Sequence, residues 1–518
     1  MNRYFLIIPV FFLFFFIEAD AQSWKDLSDS IKFYRNKNDW QTALQLAHKA
    51  LPQAEKEFGI MDTNYVSTVA SISVIFYNLG KLDSAIYYGE ILLKLSRVVY
   101  KSDHTDLALA INNLGLFYNA FGNYKEAEPL LKEALEMRRR IFKSDNSDLA
   151  LTLNSMAFFY EGRGNYKDAE QLYNESLEMG RRIFTNDHPA LARYINNMAM
   201  FYKGRGNYKE AEPLFKESLE MYKRIFTNDH PDLARSINNM AIFYNATGSY
   251  NYAESLFREA LEMYRRIYKS DHPSLALALN NMAVFYGSRE KYKVAEPLYR
   301  EAFDMYSRLF KGDHPDLARS FNNIAFCDNA IGNYHDAETH FIKGLEMYKR
   351  IFKKDHPDLA TSMYNLALFY EGRGNYIDAE PLYREALAMR RRIFNFDHPD
   401  LAHSINKMAL FYFEREKYIE SEPLYLEALL VYQNIMNKYF PSLSEKEKKL
   451  FWNTVSTNFE GFNTFATMMY KDKANITCNM YDFQLYSKAL LLNSSNRVKS
   501  RIVNSADSIM KYKFKVFL

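Results

Sequence analysis

The chain is poor in cysteine, glycine and proline, and it carries no excess of either charge. Its only cysteines, Cys327 and Cys478, stand 151 positions apart. That separation builds no disulfide framework and offers no CxxC spacing for a metal or a redox couple, so both read as free, packed thiols. With Gly 18 and Pro 14 among 518 residues, collagen-like and low-complexity chains are excluded. Lys and Arg total 66 against 63 Asp and Glu, a net charge of +3, which leaves no long-range field to gather nucleic acid or anionic lipid. No Gly-rich phosphate loop, nucleophile elbow or clustered metal-ligand spacing occurs, so the reading is non-enzymatic, with no cofactor and no metal.

Long apolar runs are scarce as well. The N-terminus has one, Phe5 to Ile17, preceded by Arg3 and followed by Ala19-Asp20-Ala21. This is the layout of a secretory signal peptide over residues 1–21, and the run falls short of the ~20 residues that span a bilayer. The expectation is an exported bacterial protein, periplasmic or extracellular. Its mature chain begins near Gln22 and keeps no stable membrane span after signal removal.

What the chain does have is a repeat. Asp-His-Pro recurs at Asp187, Asp229, Asp271, Asp313, Asp355 and Asp397 in a constant 42-residue step, and His104 and Asn146 carry the register backward. Register held over so many units implies a solenoid, because an insertion within one packed unit would disturb both neighbours. Within a unit, Leu233, Ile237, Met240, Ala241 and Tyr244 form one helical stripe. Gly248-Ser249-Tyr250 interrupts it, and Ala253, Leu256, Phe257, Ala260, Leu261, Tyr264 and Ile267 form a second. Each unit therefore reads as two antiparallel helices, with Pro231 opening the first and prolines such as Pro213 and Pro297 placed in the first turn of the second. Forty Tyr and forty Phe are accounted for by repeated packing. The Asp-His pairs read as junction caps, since equivalent positions in stacked helices lie too far apart to share one metal ion.

Met240, Ala241, Tyr244, Gly248, Tyr250, Ala253, Phe257 and Ala260 resemble the tetratricopeptide repeat signature, and the 42-residue period with His-Pro at the junction resembles its kinesin-light-chain subclass. The resemblance implies an all-α, right-handed solenoid of about ten helix pairs closed by a C-terminal helical cap. Two degenerate units cover residues 24–101, eight regular units 102–437, and a cap or connector 438–518. The eighth unit departs from the pattern: Cys327-Asp328 replaces the Phe-Tyr of its siblings, which places a carboxylate at a core-facing position, read as a weak point in packing in preference to a partner-binding group.

The inner face of such a solenoid is where these folds bind. On that face the first residue of each Asn pair recurs as Asn112, Asn154, Asn196, Asn238, Asn280, Asn322 and Asn406, a row of amides able to pair with the backbone of an extended peptide. Arg193, Arg235 and Arg319 add carboxylate-seeking forks. The second residue of each pair, such as Asn239, is expected to bond a neighbouring helix. The resemblance to kinesin light chains likewise implies a peptide or protein partner in the groove, with oligomeric state left open.

At the C-terminus, Leu443 to Glu447, Phe451-Trp452 and Lys488 to Ser495 resemble the helical connector that precedes the caspase-like CHAT domain in bacterial repeat proteins. No histidine follows His403, so the peptidase chemistry is not carried over. The alternative function is the regulatory half, or a shortened remnant, of such a peptidase system.

Overall fold

A computed structural model describes residues 23–394, 398–439, 445–469 and 480. The signal-peptide reading and the connector segment from Lys488 to Ser495 fall outside these residues. The described chain is all helix: ten antiparallel pairs, from α1 (Trp24–Asn36) and α2 (Trp40–Phe58) to α19 (Pro399–Phe413) and α20 (Tyr418–Tyr439), followed by α21 (Glu445–Met469). Unit numbers below follow these pairs.

The regular units share one core, except that Leu107, Ala108, Ile111, Ala134 and Met137 of unit three form a separate cluster. The small residues Ala234, Ala241, Ala253 and Ala260 are fully buried and let backbones approach, while Phe243, Phe257 and Tyr264 fill the space between successive pairs. First helices of successive units touch, as α5 (Thr105–Phe121) touches α7 (Ser147–Gly162), which puts them on the inside of the curve. At the far end Phe459, Phe462 and Phe465 of α21 are buried, with Phe462 and Phe465 against Tyr425 and Phe459 against Tyr432. That helix covers the apolar face the last unit would otherwise expose.

The second helix begins earlier than its stripe suggests. In unit three α6 runs Tyr124–Ile141, which puts Pro129 inside the helix and not in its first turn. The carbonyl this proline leaves without an amide partner belongs to Lys125, which is solvent-exposed, so water can satisfy it.

The Asp-His-Pro junction resolves into three tasks. His230 lies outside the helix with extended backbone, and its Nδ1 accepts the backbone N–H of Asp232 at 3.2 Å. Its ring stacks on Phe226 with centroids 3.5 Å apart. Pro231 occupies the first helical position. Asp229 does not cap: it takes a bidentate pair from Arg266 near the end of the unit's second helix, at 2.7 and 2.9 Å. The same Arg–Asp pair recurs at Arg140–Asp103, Arg182–Asp145, Arg224–Asp187, Arg308–Asp271, Arg350–Asp313 and Arg392–Asp355. Asn146, where histidine is missing, still caps through Oδ1.

The superhelix also closes on itself. The interhelix turn of unit one meets the junction that opens unit seven: the Asn38 side-chain amide lies 3.0 Å from His272 Nε2, 234 residues away. Units two, three and four repeat the contact at the same spacing. Gly80 packs on His314, Gly122 on Asp355 and His356, and Gly164 on His398. His314 bonds the backbone of Asn78, and His356 that of Ala120. Each of these histidines thus accepts through Nδ1 within its own helix and uses Nε2 to hold the preceding turn. Burial holds His272 and His314 down to about 4, and His356 to about 3. The rings are therefore neutral, which is the form both bonds require.

Unit eight is not left unsatisfied. Asp328 is fully buried, but Arg300 reaches it at 3.2 Å and His340 Nδ1 at 2.9 Å. His340 stands where the sibling units carry Leu172, Leu214, Leu256, Leu298 and Leu382. Two substitutions in one unit answer each other, so the expected weak point is a compensated polar cluster.

Candidate peptide-binding groove

Inner-face side chains come from the first helix of each pair, and their placement follows from the helical stripe. With Leu233, Ile237 and Met240 fixed in the core, Arg235, Asn239 and Ile242 turn toward the groove. The asparagine row exists, but its two members divide the work. Asn112, Asn154, Asn238, Asn280, Asn322 and Asn406 are buried, and Asn196 is half-buried. The second asparagine of each following unit donates Nδ2 to the first: Asn197 to Asn154 at 3.0 Å, Asn239 to Asn196 at 3.1 Å, Asn281 to Asn238 at 3.4 Å and Asn323 to Asn280 at 2.7 Å. Asn154 and Asn322 also give Nδ2 to the carbonyl four residues back in their own helices.

A continuous amide ladder therefore ties units together, and the half-buried second asparagines are its groove-side edge. The ladder fails at one end for a visible reason. Unit four has Ser155 in place of the second asparagine, and its hydroxyl turns back to the Leu151 carbonyl. Asn112 Oδ1 is left buried without a partner.

The arginines are not equivalent either. Arg235 pairs with Asp232 at 2.6 Å and Arg319 with Asp316 at 2.5 Å, each one helical turn back. Arg193 has Ala190 at that place, so its guanidinium has no carboxylate in its own helix; it lies over Tyr194 at 5.9 Å. Between α9 (Pro189–Gly204) and α11 (Pro231–Ala246) a cavity of about 500 Å³ opens, lined by Arg193, Arg235, Asn196, Asn197, Tyr222 and His188, among others. Burial raises the Tyr222 phenol above its ordinary value while the nearby Arg235 charge pulls it down. Asp232 shares this lining and is already paired with Arg235, whereas Arg193 faces it with no carboxylate in its own helix. Arg319 lies outside it.

Tyr222 and His188 were not expected there. Tyr222 comes from the second helix, whose stripe reads only as core. Register comparison does single out one further feature: the position of Arg193 holds Leu109, Leu151 and Leu277 in other units, and all three are exposed. This position of the groove is thus apolar in units three, four and seven and cationic in units five, six and eight.

The tetratricopeptide repeat profile matches residues 65–140, 148–224, 192–266, 232–308, 274–350 and 316–392, and a second profile of the same repeat matches 401–439. The chain belongs to the tetratricopeptide repeat family. No curated protein matches it in sequence. Among solved structures the repeat array is similar to BtubC (BKLC) from P. vanneervenii, at 22% identity over 43% of this chain and 90% of that one, with a TM-score of 0.38. It is also similar to a putative kinesin light chain from Podosopora anserina with nearly identical TPR-like repeats, at 20% identity over 40% and 98%, TM-score 0.35. A Rap protein complexed with Competence and Sporulation Factor is similar at 14% identity over 74% and 99%, TM-score 0.45. At such identities and scores these likenesses carry nothing about ligand or partner.

Proposed function

We propose that this tetratricopeptide repeat protein is a non-enzymatic, exported scaffold that holds an extended peptide or protein segment along its concave groove. The observation that carries the reading is the cavity between α9 and α11, where Arg193 has no carboxylate in its own helix. Repeated amides along the same face supply backbone pairing that does not depend on the partner's side chains. The exposed leucines and Val284 and Phe326 supply apolar contact that varies from unit to unit. The Asp-His pairs, which invite a catalytic reading, are occupied in capping, stacking and inter-unit pairing.

The test is partner capture in the native host with Arg193→Glu plus Arg235→Glu against wild type. Charge reversal at the cavity is expected to lower capture at least tenfold while the helical circular dichroism stays unchanged. Undiminished capture by a folded variant contradicts the groove reading. Fractionation tests export: the reading expects the protein outside the cytoplasm with its N-terminus near Gln22.

A further inference from the structure

The contact between superhelical turns uses only two kinds of surface, and the molecule carries a second, uncovered set of both. One surface is the interhelix turn, occupied in units one to four. The other is the His junction, occupied at the openings of units seven to ten. Along the upper edge, the turns of units eight and nine have the same left-handed glycines, Gly332 and Gly374, where an added Cβ would meet no atom within 4 Å among the described residues. Tyr334 and Tyr376 beside them are 43% and 47% exposed, whereas the equivalent Tyr124 and Tyr166 in units three and four are packed against the core. Along the lower edge, the side chains of His104 and His230 are 43% and 36% exposed, whereas His314, His356 and His398 are at 8%, 12% and 11%.

The chemistry of the two uncovered edges is matched. His104, His188 and His230 already spend Nδ1 on their own helix caps. In the neutral ring the remaining Nε2–H is a donor, the atom that His314 and His356 turn on the backbone of Asn78 and Ala120. The residues equivalent to Ala120 in units eight and nine, Ala330 and Gly372, are exposed at helix C-termini, where carbonyls lack intrahelical partners. An ion pair across the intramolecular contact, Lys354 with Glu126 at 3.6 Å, has acidic counterparts on the uncovered upper edge at Asp336 and Asp378, and lysines near the lower-edge junctions at Lys101 and Lys143.

We infer that the lower edge of a second copy of this chain docks on the upper edge of the first, repeating the intramolecular contact between molecules. Because the two edges differ, the association is head to tail. It therefore continues along the superhelix axis and does not stop at a symmetric dimer. The inference rests on the contact between turns and is independent of what the groove holds.

Sedimentation velocity on the full chain over a concentration series tests it. Wild type is expected to form a ladder of species whose mean mass rises with concentration. An upper-edge variant, Tyr334→Glu with Tyr376→Glu, and a lower-edge variant, His188→Asp with His230→Asp, which keeps a capping side chain, are each expected to sediment as monomers. Mixed in equal amounts they retain one intact edge each and are expected to give a dimer and nothing larger. If circular dichroism shows the tyrosine variant misfolded, Ile377→Lys with Ile419→Lys on the same edge, 87% and 83% exposed, replaces it. A wild type that stays monomeric throughout overturns the inference. So does a dimer that survives in either variant alone, or a mixture that forms none.

Discussion

Two glycines with nearly the same backbone separate the contact between turns from every other effect. Gly122 has φ +87 and Gly374 has φ +76, each in the interhelix turn of its unit. Alanine in this left-handed region costs about 1–2 kcal/mol at either site. At Gly374 nothing more is lost, because a Cβ meets no atom within 4 Å. At Gly122 the Cβ would stand 2.5 Å from the Asp355 carbonyl oxygen of the next superhelical turn, well inside contact distance. Relieving that overlap in place costs a further ~1–3 kcal/mol, the usual range for overpacking. Parting the turns relieves it too, at the expense of the His356–Ala120 hydrogen bond and the Glu126–Lys354 pair, together about 1–2 kcal/mol. Gly122→Ala is therefore expected to lower the urea midpoint clearly more than Gly374→Ala, and to raise the radius of gyration in small-angle scattering, which Gly374→Ala leaves alone. Equal midpoints together with equal radii would refute the closed superhelix.

Acid should open the same contact. His272, His314 and His356 titrate in the folded protein below their ordinary value near 6.5, chiefly through burial, with Asp316 pulling His314 the other way. The unfolded or opened state binds the protons first, so the contact is at full strength above about pH 6.5 and is lost as pH falls toward 4. Scattering from pH 7.5 to 4.5 should show expansion, and replacing all three by Asn, which caps as Asn146 does, should flatten it. In unit eight, His340→Leu alone removes one of the two partners of the buried Asp328, leaving Arg300, and should cost about 1–3 kcal/mol. Adding Asp328→Tyr restores the sibling pattern and should recover most of that in denaturant unfolding. Asp229→Asn removes one exposed Arg–Asp pair; its melting temperature should fall slightly at low salt and match wild type at about 1 M salt, where the Debye length is near 3 Å.

The repeat, its helix pairs and its core were legible because each is local: period, stripe and small residues recur within 42 positions. Start points of second helices were not, since the residue before most of them, such as Ser249 before Tyr250, makes no capping side-chain bond, Asn375 being an exception. The role of Asp in Asp-His-Pro was hidden because its partner arginine lies 37 residues on, at the end of the unit's second helix. Within the groove, the residue types and face were readable, but which asparagine of each pair is buried is set by bonds to the pair 43 residues away. Closure of the superhelix depends on curvature summed over six units, and no single unit's sequence encodes that visibly. His340 could have been found by register: a histidine in a column of leucines, twelve residues after an aspartate in a column of tyrosines.

The claim that the inner lining holds the partner is tested most directly by hydrogen exchange on the captured complex. The account predicts slowed exchange in peptides from the first helices of units five and six, Pro189–Gly204 and Pro231–Ala246, with the second helices Tyr208–Ile225 and Tyr250–Ile267 little changed. Protection confined to those second helices would contradict it.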